Sequence, residues 1–151
     1  MTTSGRPTPQ RTLGEMYLDV AEELRGAFTR SAAAEGLTFM EGRTLRLVAN
    51  HSEQSQLTDL LGTAPSQVSA LLNKLERRGF AVRKASRGDK RHRRVELTPE
   101  GAAALDRLEA QLEVHSPLLH ALTEEERATL RTLLGKLRPD GVGRSPEAAA
   151  T

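Results

Sequence analysis

Near the start of the chain, apolar residues recur at Leu13, Met16, Tyr17, Val20, Leu24 and Phe28. Steps of three and four residues lay such positions along one face of a helix, and the spacing predicts a helix over about 10–34, ended near Gly36. A second helix, over about 38–50, carries Phe39, Leu45, Leu47 and Val48. Thr38 is its predicted N-cap, with Glu41 in capping-box register. A short third helix is predicted over about 56–61, with Ser55 as N-cap and Gly62 as terminator. Thr63 and Ala64 make the turn. Pro65 then opens a fourth helix over about 65–78, because its missing N–H costs nothing at the first helical position. Its predicted buried set is Val68, Leu71, Leu72 and Leu75, and Gly79 follows as the C′ residue. Two helices joined by a short glycine-containing turn are the layout of a helix-turn-helix.

Beyond Gly79 the period changes. Residues 80–84 and 94–97 read as two short strands, and Arg87-Gly88-Asp89 supplies turn chemistry between them, giving a hairpin with a basic tip. Thr98-Pro99-Glu100 opens a long helix whose stripe is Leu105, Leu108, Leu112 and Leu119, interrupted by Pro117. A capping box at Thr123–Glu126 starts a last helix with Leu130, Leu133, Leu134 and Leu137, ended by Pro139. Residues 1–9 are expected to form a flexible arm and 139–151 a disordered tail. The expected fold class is mainly α (α+β). A winged helix-turn-helix core covers about 38–101, and long helices over about 10–34 and 99–138 flank it in a domain spanning 10–138.

Composition narrows the chemistry. The 151 residues include no cysteine, so disulfides, thiolate metal sites and thiol-based catalysis or redox sensing are excluded. With no Trp, one Tyr and three Phe, the chain is too poor in aromatics for a single-strand stacking platform. No apolar run reaches the length of a membrane span, the first residues have no signal-peptide character, and a cytoplasmic location is expected. The net charge of +2 hides a strong asymmetry. Ten basic residues (Lys74, Arg77, Arg78, Arg83, Lys84, Arg87, Lys90, Arg91, Arg93 and Arg94) stand between positions 74 and 94 against two acids, Glu76 and Asp89. Concentrated positive charge on an otherwise acidic chain is a footprint for a polyanion.

A DNA major groove admits one helix, entered by its N-terminal part, and the residues there must be small or able to exchange hydrogen bonds. Pro65, Ser66, Gln67, Ser69, Ala70, Asn73 and Lys74 meet that need. Gln67 and Asn73 can pair bidentately with adenine, Ala70 can meet a thymine methyl, and the first-turn N–H groups with Ser66 suit a phosphate. In the hairpin, Arg91 has the charge to enter a narrow minor groove. Asp89, two residues away, can brace its guanidinium. Arg87, Lys90, Arg93 and Arg94 suit phosphates, which position without specifying.

The stretch Leu57–Gly101 resembles the DNA-binding core of the MarR family. The features that carry the resemblance are Pro65-Ser66-x-Val68-Ser69, Leu75-Glu76-x-x-Gly79, Asp89-x-Arg91 and Leu97-Thr98-x-x-Gly101. The flanking helices match in pattern only. The resemblance implies a wing whose aspartate and arginine enter the minor groove. It also implies a two-fold homodimer built by the first and last helices, and a pseudo-palindromic double-stranded operator. A small phenolic or amphipathic ligand held between the dimer helices and the DNA-binding lobe is a further implication. On that resemblance alone, Tyr17, Arg43, Leu47 and His51 are the candidate ligand-cleft residues. No cofactor is implied.

No HExxH, P-loop, G-x-S-x-G or G-x-G-x-x-G motif occurs, and an enzyme is not expected. Four histidines (His51, His92, His115 and His120) lack the i, i+4 spacing of a helical metal site. Two functions remain open. One is a ligand-responsive transcriptional regulator, most often a repressor in this family. The other is a winged-helix architectural or protein-interaction module with neither ligand nor strict operator.

Overall fold

The computed structural model describes residues 11–86, 89–116, 118 and 120–137, without the side chains of 85–93. The expected arm, the expected tail, Arg87, Gly88, Pro117 and Leu119 therefore lie outside the described residues. The elements run α1 (Leu13–Ala34), α2 (Phe39–Val48), α3 (Gln54–Leu61), α4 (Pro65–Arg77), β1 (Ala81–Ser86), β2 (Asp89–Leu97), α5 (Pro99–His115) and α6 (Glu124–Lys136). They fall into two compact units, one ending at Ser116 and one beginning after it.

Local chemistry sets most boundaries. Thr12, Thr38 and Thr123 each accept a hydrogen bond from the N–H three residues on, and Glu15, Glu41 and Glu126 each accept one from the cap N–H. The first of these boxes sets the start of α1 at Leu13, the first residue of the apolar stripe and later than the expected start near residue 10. Gly62 (φ 61°) and Gly79 (φ 73°) close α3 and α4 in the left-handed region that glycine adopts without strain. Pro65 opens α4 as expected.

Two expectations require correction. Ser55 is not the N-cap of α3: the helix starts at Gln54, and Glu53 stands at the cap position without a side-chain bond. The cause is tertiary. The Val95 N–H donates to the Ser52 carbonyl (2.7 Å), and Glu53 bridges Arg94 of β2, so the chain is held extended until Glu53 and turns helical immediately after. The hairpin is also longer than its alternation suggested. Its strands pair antiparallel from Ala81↔Leu97 to Ala85↔Arg93, and the register shifts before Ser86↔Asp89.

The first unit has one hydrophobic core. Phe28 and Ala32 of α1, Leu45 and Val48 of α2, Leu57 of α3, and Leu105 and Leu108 of α5 enclose the inward residues of α4 and β2. Only the C-terminal part of α1 takes part: Leu13, Met16, Tyr17, Leu18 and Val20 are exposed. In the second unit, α6 exposes Leu130, Leu133, Leu134 and Leu137.

The junction of hairpin and α5 leaves no spare room. The Thr98 hydroxyl donates to the Gly79 carbonyl and accepts from the Gly101 N–H, while the Thr98 N–H donates to the Phe80 carbonyl. A Cβ at Gly101 would overlap the Phe80 carbonyl, which is main chain and cannot rotate away. Gly101→Ala is expected to cost about 2–3 kcal/mol, an overpacking penalty that exceeds any gain in helix propensity. Chemical denaturation measures it, and a loss below about 0.5 kcal/mol would show that the junction relaxes freely.

Candidate nucleic-acid interface

Val68, Leu72 and Leu75 of α4 are fully buried, Leu71 is half-buried, and the opposite face is bare: Pro65, Ser66, Gln67, Ala70, Asn73, Lys74 and Arg77 are exposed. The apolar seam turns inward, so the helix presents the polar residues predicted for base and phosphate contact. Ser69 is at the margin, half-buried.

Side-chain bonds from three other elements tie this helix down. From α3, Gln54 bonds the Ser69 hydroxyl (2.9 Å). From α2, Glu41 receives the Lys74 ammonium (3.2 Å). From β1, Arg83 donates Nη1 to Asn73 Oδ1 (2.7 Å) and to the Glu76 carboxylate, and its backbone N–H donates to Glu76 Oε1 (3.1 Å). At the C-terminal end, Arg78 lies 4.8 Å from the centre of the Phe80 ring and donates to the carbonyls of Glu35 (2.7 Å) and Gly36. Within the turn itself, the Thr63 hydroxyl bonds Gln67. Sequence reasoning did not find these partners. Arg83 and Glu76 are seven positions apart across a turn and Lys74 and Glu41 lie on separate helices, so no local spacing announces either pair.

These pairs change the electrostatic picture. Of the ten cations between 74 and 94, Lys74, Arg83 and Lys84 face carboxylates within the chain, Lys84 through Glu96. Among the described side chains, Arg77, Arg78 and Arg94 have no carboxylate partner, and Arg78 donates to main-chain carbonyls instead. Arg87 lies outside the described residues. For Asp89, Lys90, Arg91 and Arg93 the β2 backbone is described but the side chains are not.

Glu41 sits at the centre of this frame. It is buried, which pushes its carboxyl up, yet the Thr38 N–H and the Lys74 ammonium outweigh burial and hold it below its ordinary value.

The residues assigned to a ligand cleft separate in space. An open cleft of about 480 Å³ lies where the C-terminal end of α2, β2 and α5 meet, lined among others by Val48, Asn50, His51, Glu96, Leu105 and Asp106. Of the four candidates, only His51 lines it. Leu47 packs against the core, Arg43 donates to the Leu60 carbonyl (3.2 Å), and Tyr17 is exposed on α1.

A polar-faced helix behind a tight turn, followed by a basic antiparallel hairpin braced onto it, defines a winged helix-turn-helix protein. A MarR family profile matches residues 35–92. The regulator PecS of Dickeya dadantii is 34% identical over 84 residues, 55% of this chain and 51% of its own length, so this chain spans about half of that relative. A putative transcriptional regulatory protein for the hcr operon of Thauera aromatica is 33% identical over 113 residues, 69% of this chain and 68% of its own. The chain belongs to the MarR family of transcriptional regulators. Solved structures agree. The transcriptional repressor CouR bound to a 23-mer DNA duplex superimposes with a TM-score of 0.68 at 27% identity, over 83% of this chain and 92% of its own. A Mycobacterium tuberculosis MarR family protein in complex with salicylic acid gives 0.64 at 26% identity, over 86% and 98%.

The lowered Glu41 carboxyl has a consequence for stability. A carboxylate held below its unfolded value stabilises fully above that value, 4.5, and the contribution disappears as pH falls through the lower folded value. Glu41→Gln keeps a capping-box side chain but removes the charge. The wild type is expected to exceed the variant in stability at neutral pH, with the gap closing as the solution is acidified below 4.5. Urea melts across that range test this, and a pH-independent gap would show that the Lys74 pairing contributes nothing.

Proposed function

We propose that the protein is a homodimeric, sequence-specific repressor of transcription that binds a pseudo-palindromic double-stranded operator and whose affinity a small amphipathic or phenolic ligand modulates. The bare face of α4 carries this reading: a helix with one side locked into the core and the other free of large apolar side chains is shaped for a major groove. Ser66, Gln67, Ala70 and Asn73 are assigned to base or first-turn phosphate contact, and Lys74 to phosphate. Arg91, braced by Asp89, enters the minor groove beside phosphate contacts from Arg87, Lys90, Arg93 and Arg94. The DNA-bound CouR structure supports this arrangement.

Dimerisation accounts for the exposed apolar residues of α1 and, separately, of α6, which would otherwise leave large apolar areas in water. The cleft around His51 is the proposed ligand site, supported by the salicylic acid complex of the Mycobacterium tuberculosis relative. No helix among the described residues is long and apolar enough to cross a membrane, which fits action in the cytoplasm.

Two-fold symmetry fixes the separation of the two α4 helices, so half-sites should lie about 10 base pairs apart, centre to centre. Footprinting on upstream DNA is expected to show one bounded palindrome. Inserting five base pairs at its centre turns one half-site to the opposite face and should abolish cooperative protection. Unchanged protection would exclude the paired-helix arrangement.

The wing yields a test of sign. Asp89→Ala adds net positive charge, so a purely electrostatic wing predicts tighter binding. If Asp89 orders the inserted Arg91, the variant instead loses operator affinity, because an unrestrained arginine must be immobilised on docking. Titrations of Asp89→Ala, Arg91→Ala and the double variant at one salt concentration should give similar losses for all three. A gain for Asp89→Ala, with the dimer intact, would remove the bracing role.

A further inference from the structure

We propose that Arg83 fixes the polarity of base reading at Asn73, so that this position presents hydrogen-bond donors to the groove and selects guanine over adenine; this rests on the DNA-binding reading above. Arg83 is a positioning residue in this scheme, acting only through Asn73.

The argument starts from what each group can exchange. A guanidinium has donors and no acceptor. The Asn73 amide atom 2.7 Å from Arg83 Nη1 must therefore be the oxygen, which fixes the amide orientation that geometry alone would leave ambiguous. Arg83 cannot easily turn away. Its side chain is only 15% exposed, it pairs with Glu76, and its Nη2 points at the Ser69 carbonyl (3.4 Å). Asn73, by contrast, stands on the bare face of α4. With its oxygen edge turned to the β1 side of the helix, its outward edge is the NH₂ group.

A bidentate asparagine contact to adenine needs both edges of the amide, the NH₂ for N7 and the oxygen for the N6 amino group. The Arg83 bond uses one lone pair of the oxygen and holds that end of the amide on the β1 side, so the acceptor that the adenine N6 amino group needs is turned from the groove. Guanine offers two acceptors, N7 and O6, and both suit an NH₂ donor. Where the sequence allowed Asn73 to pair with adenine, this arrangement favours guanine, a preference set from behind the helix.

The test selects preferred sites from a randomised duplex library, using the full-length chain as wild type, Asn73→Asp and Arg83→Met. The wild type is expected to favour guanine over adenine about five- to tenfold at one position of each half-site, the scale of one net hydrogen bond. In Asn73→Asp the Arg83–Glu76 pair stays in place and Arg83 holds one carboxylate oxygen. The other oxygen faces the groove as an acceptor, and the preference should move to cytosine, whose N4 amino group donates. In Arg83→Met the amide is released and adenine should rise at that same position. Asn73→Asp keeps the inference testable should Arg83→Met fail to fold. An adenine preference in the wild type at the position that Asn73→Asp alters would overturn the inference. So would identical preferences for wild type and Asn73→Asp at every position. Absence of any selected sequence for the wild type would instead remove the operator reading itself, and is distinguishable because every position is lost together.

Discussion

The structure depends on holding α4 firmly while leaving one of its faces bare. A helix with a solvated face makes fewer contacts than a core helix, so its position rests on a narrow seam. Val68, Leu72 and Leu75 are fully buried, each stabilising by about 1.5–3 kcal/mol. The individual side-chain ties contribute about 0.5–1.5 kcal/mol each, with the charged ones at the upper end. Burial therefore decides that the helix packs and which way it faces. The ties from Gln54, Glu41, Arg83 and Arg78 decide how finely its outward atoms are placed. Arg83 also joins β1 to α4, tying the base of the hairpin to the helix.

Much of this was legible in the sequence because the deciding interactions are short-range. A Thr and a Glu three residues apart satisfy each other's backbone groups wherever they stand, and Thr38–Glu41 and Thr123–Glu126 could be read directly. Pro65, Gly62 and Gly79 act through their own backbones and were equally plain. The start of α3 was misread because an extended Ser52–Glu53 pairing with β2, invisible to any local pattern, overrides the capping preference of Ser55. The site was legible at the level of faces. Helical spacing showed which residues of α4 point outward, but not that Asn73 has its oxygen occupied or that Lys74 is paired, since those partners come from β1 and α2. The charge excess hides the same kind of detail: formal charges add along the chain, but part of that positive charge is answered within the fold by Glu41, Glu76 and Glu96.

The end of α1 shows how α4 is joined to the long helices. The Glu35 carboxylate receives Arg107 of α5 through bonds of 3.0–3.2 Å, while its carbonyl and that of Gly36 receive Arg78 from the end of α4. One corner thus touches both long helices and the C-terminal end of α4. These ion pairs and hydrogen bonds are largely exposed, and pairs of that kind are worth about 0–1 kcal/mol, too little to drag a helix. What can transmit a displacement is the packing beneath them. Gly42 lets α2 approach so closely that an added Cβ would lie 3.0 Å from Ala32, 3.2 Å from Leu108 and 3.3 Å from Phe28. Contacts that tight do not deform continuously. A change in the spacing of α1 and α5 must therefore move α2 with them, and the core that Leu45 and Val48 share with Val68, Leu72 and Leu75 carries it on to α4.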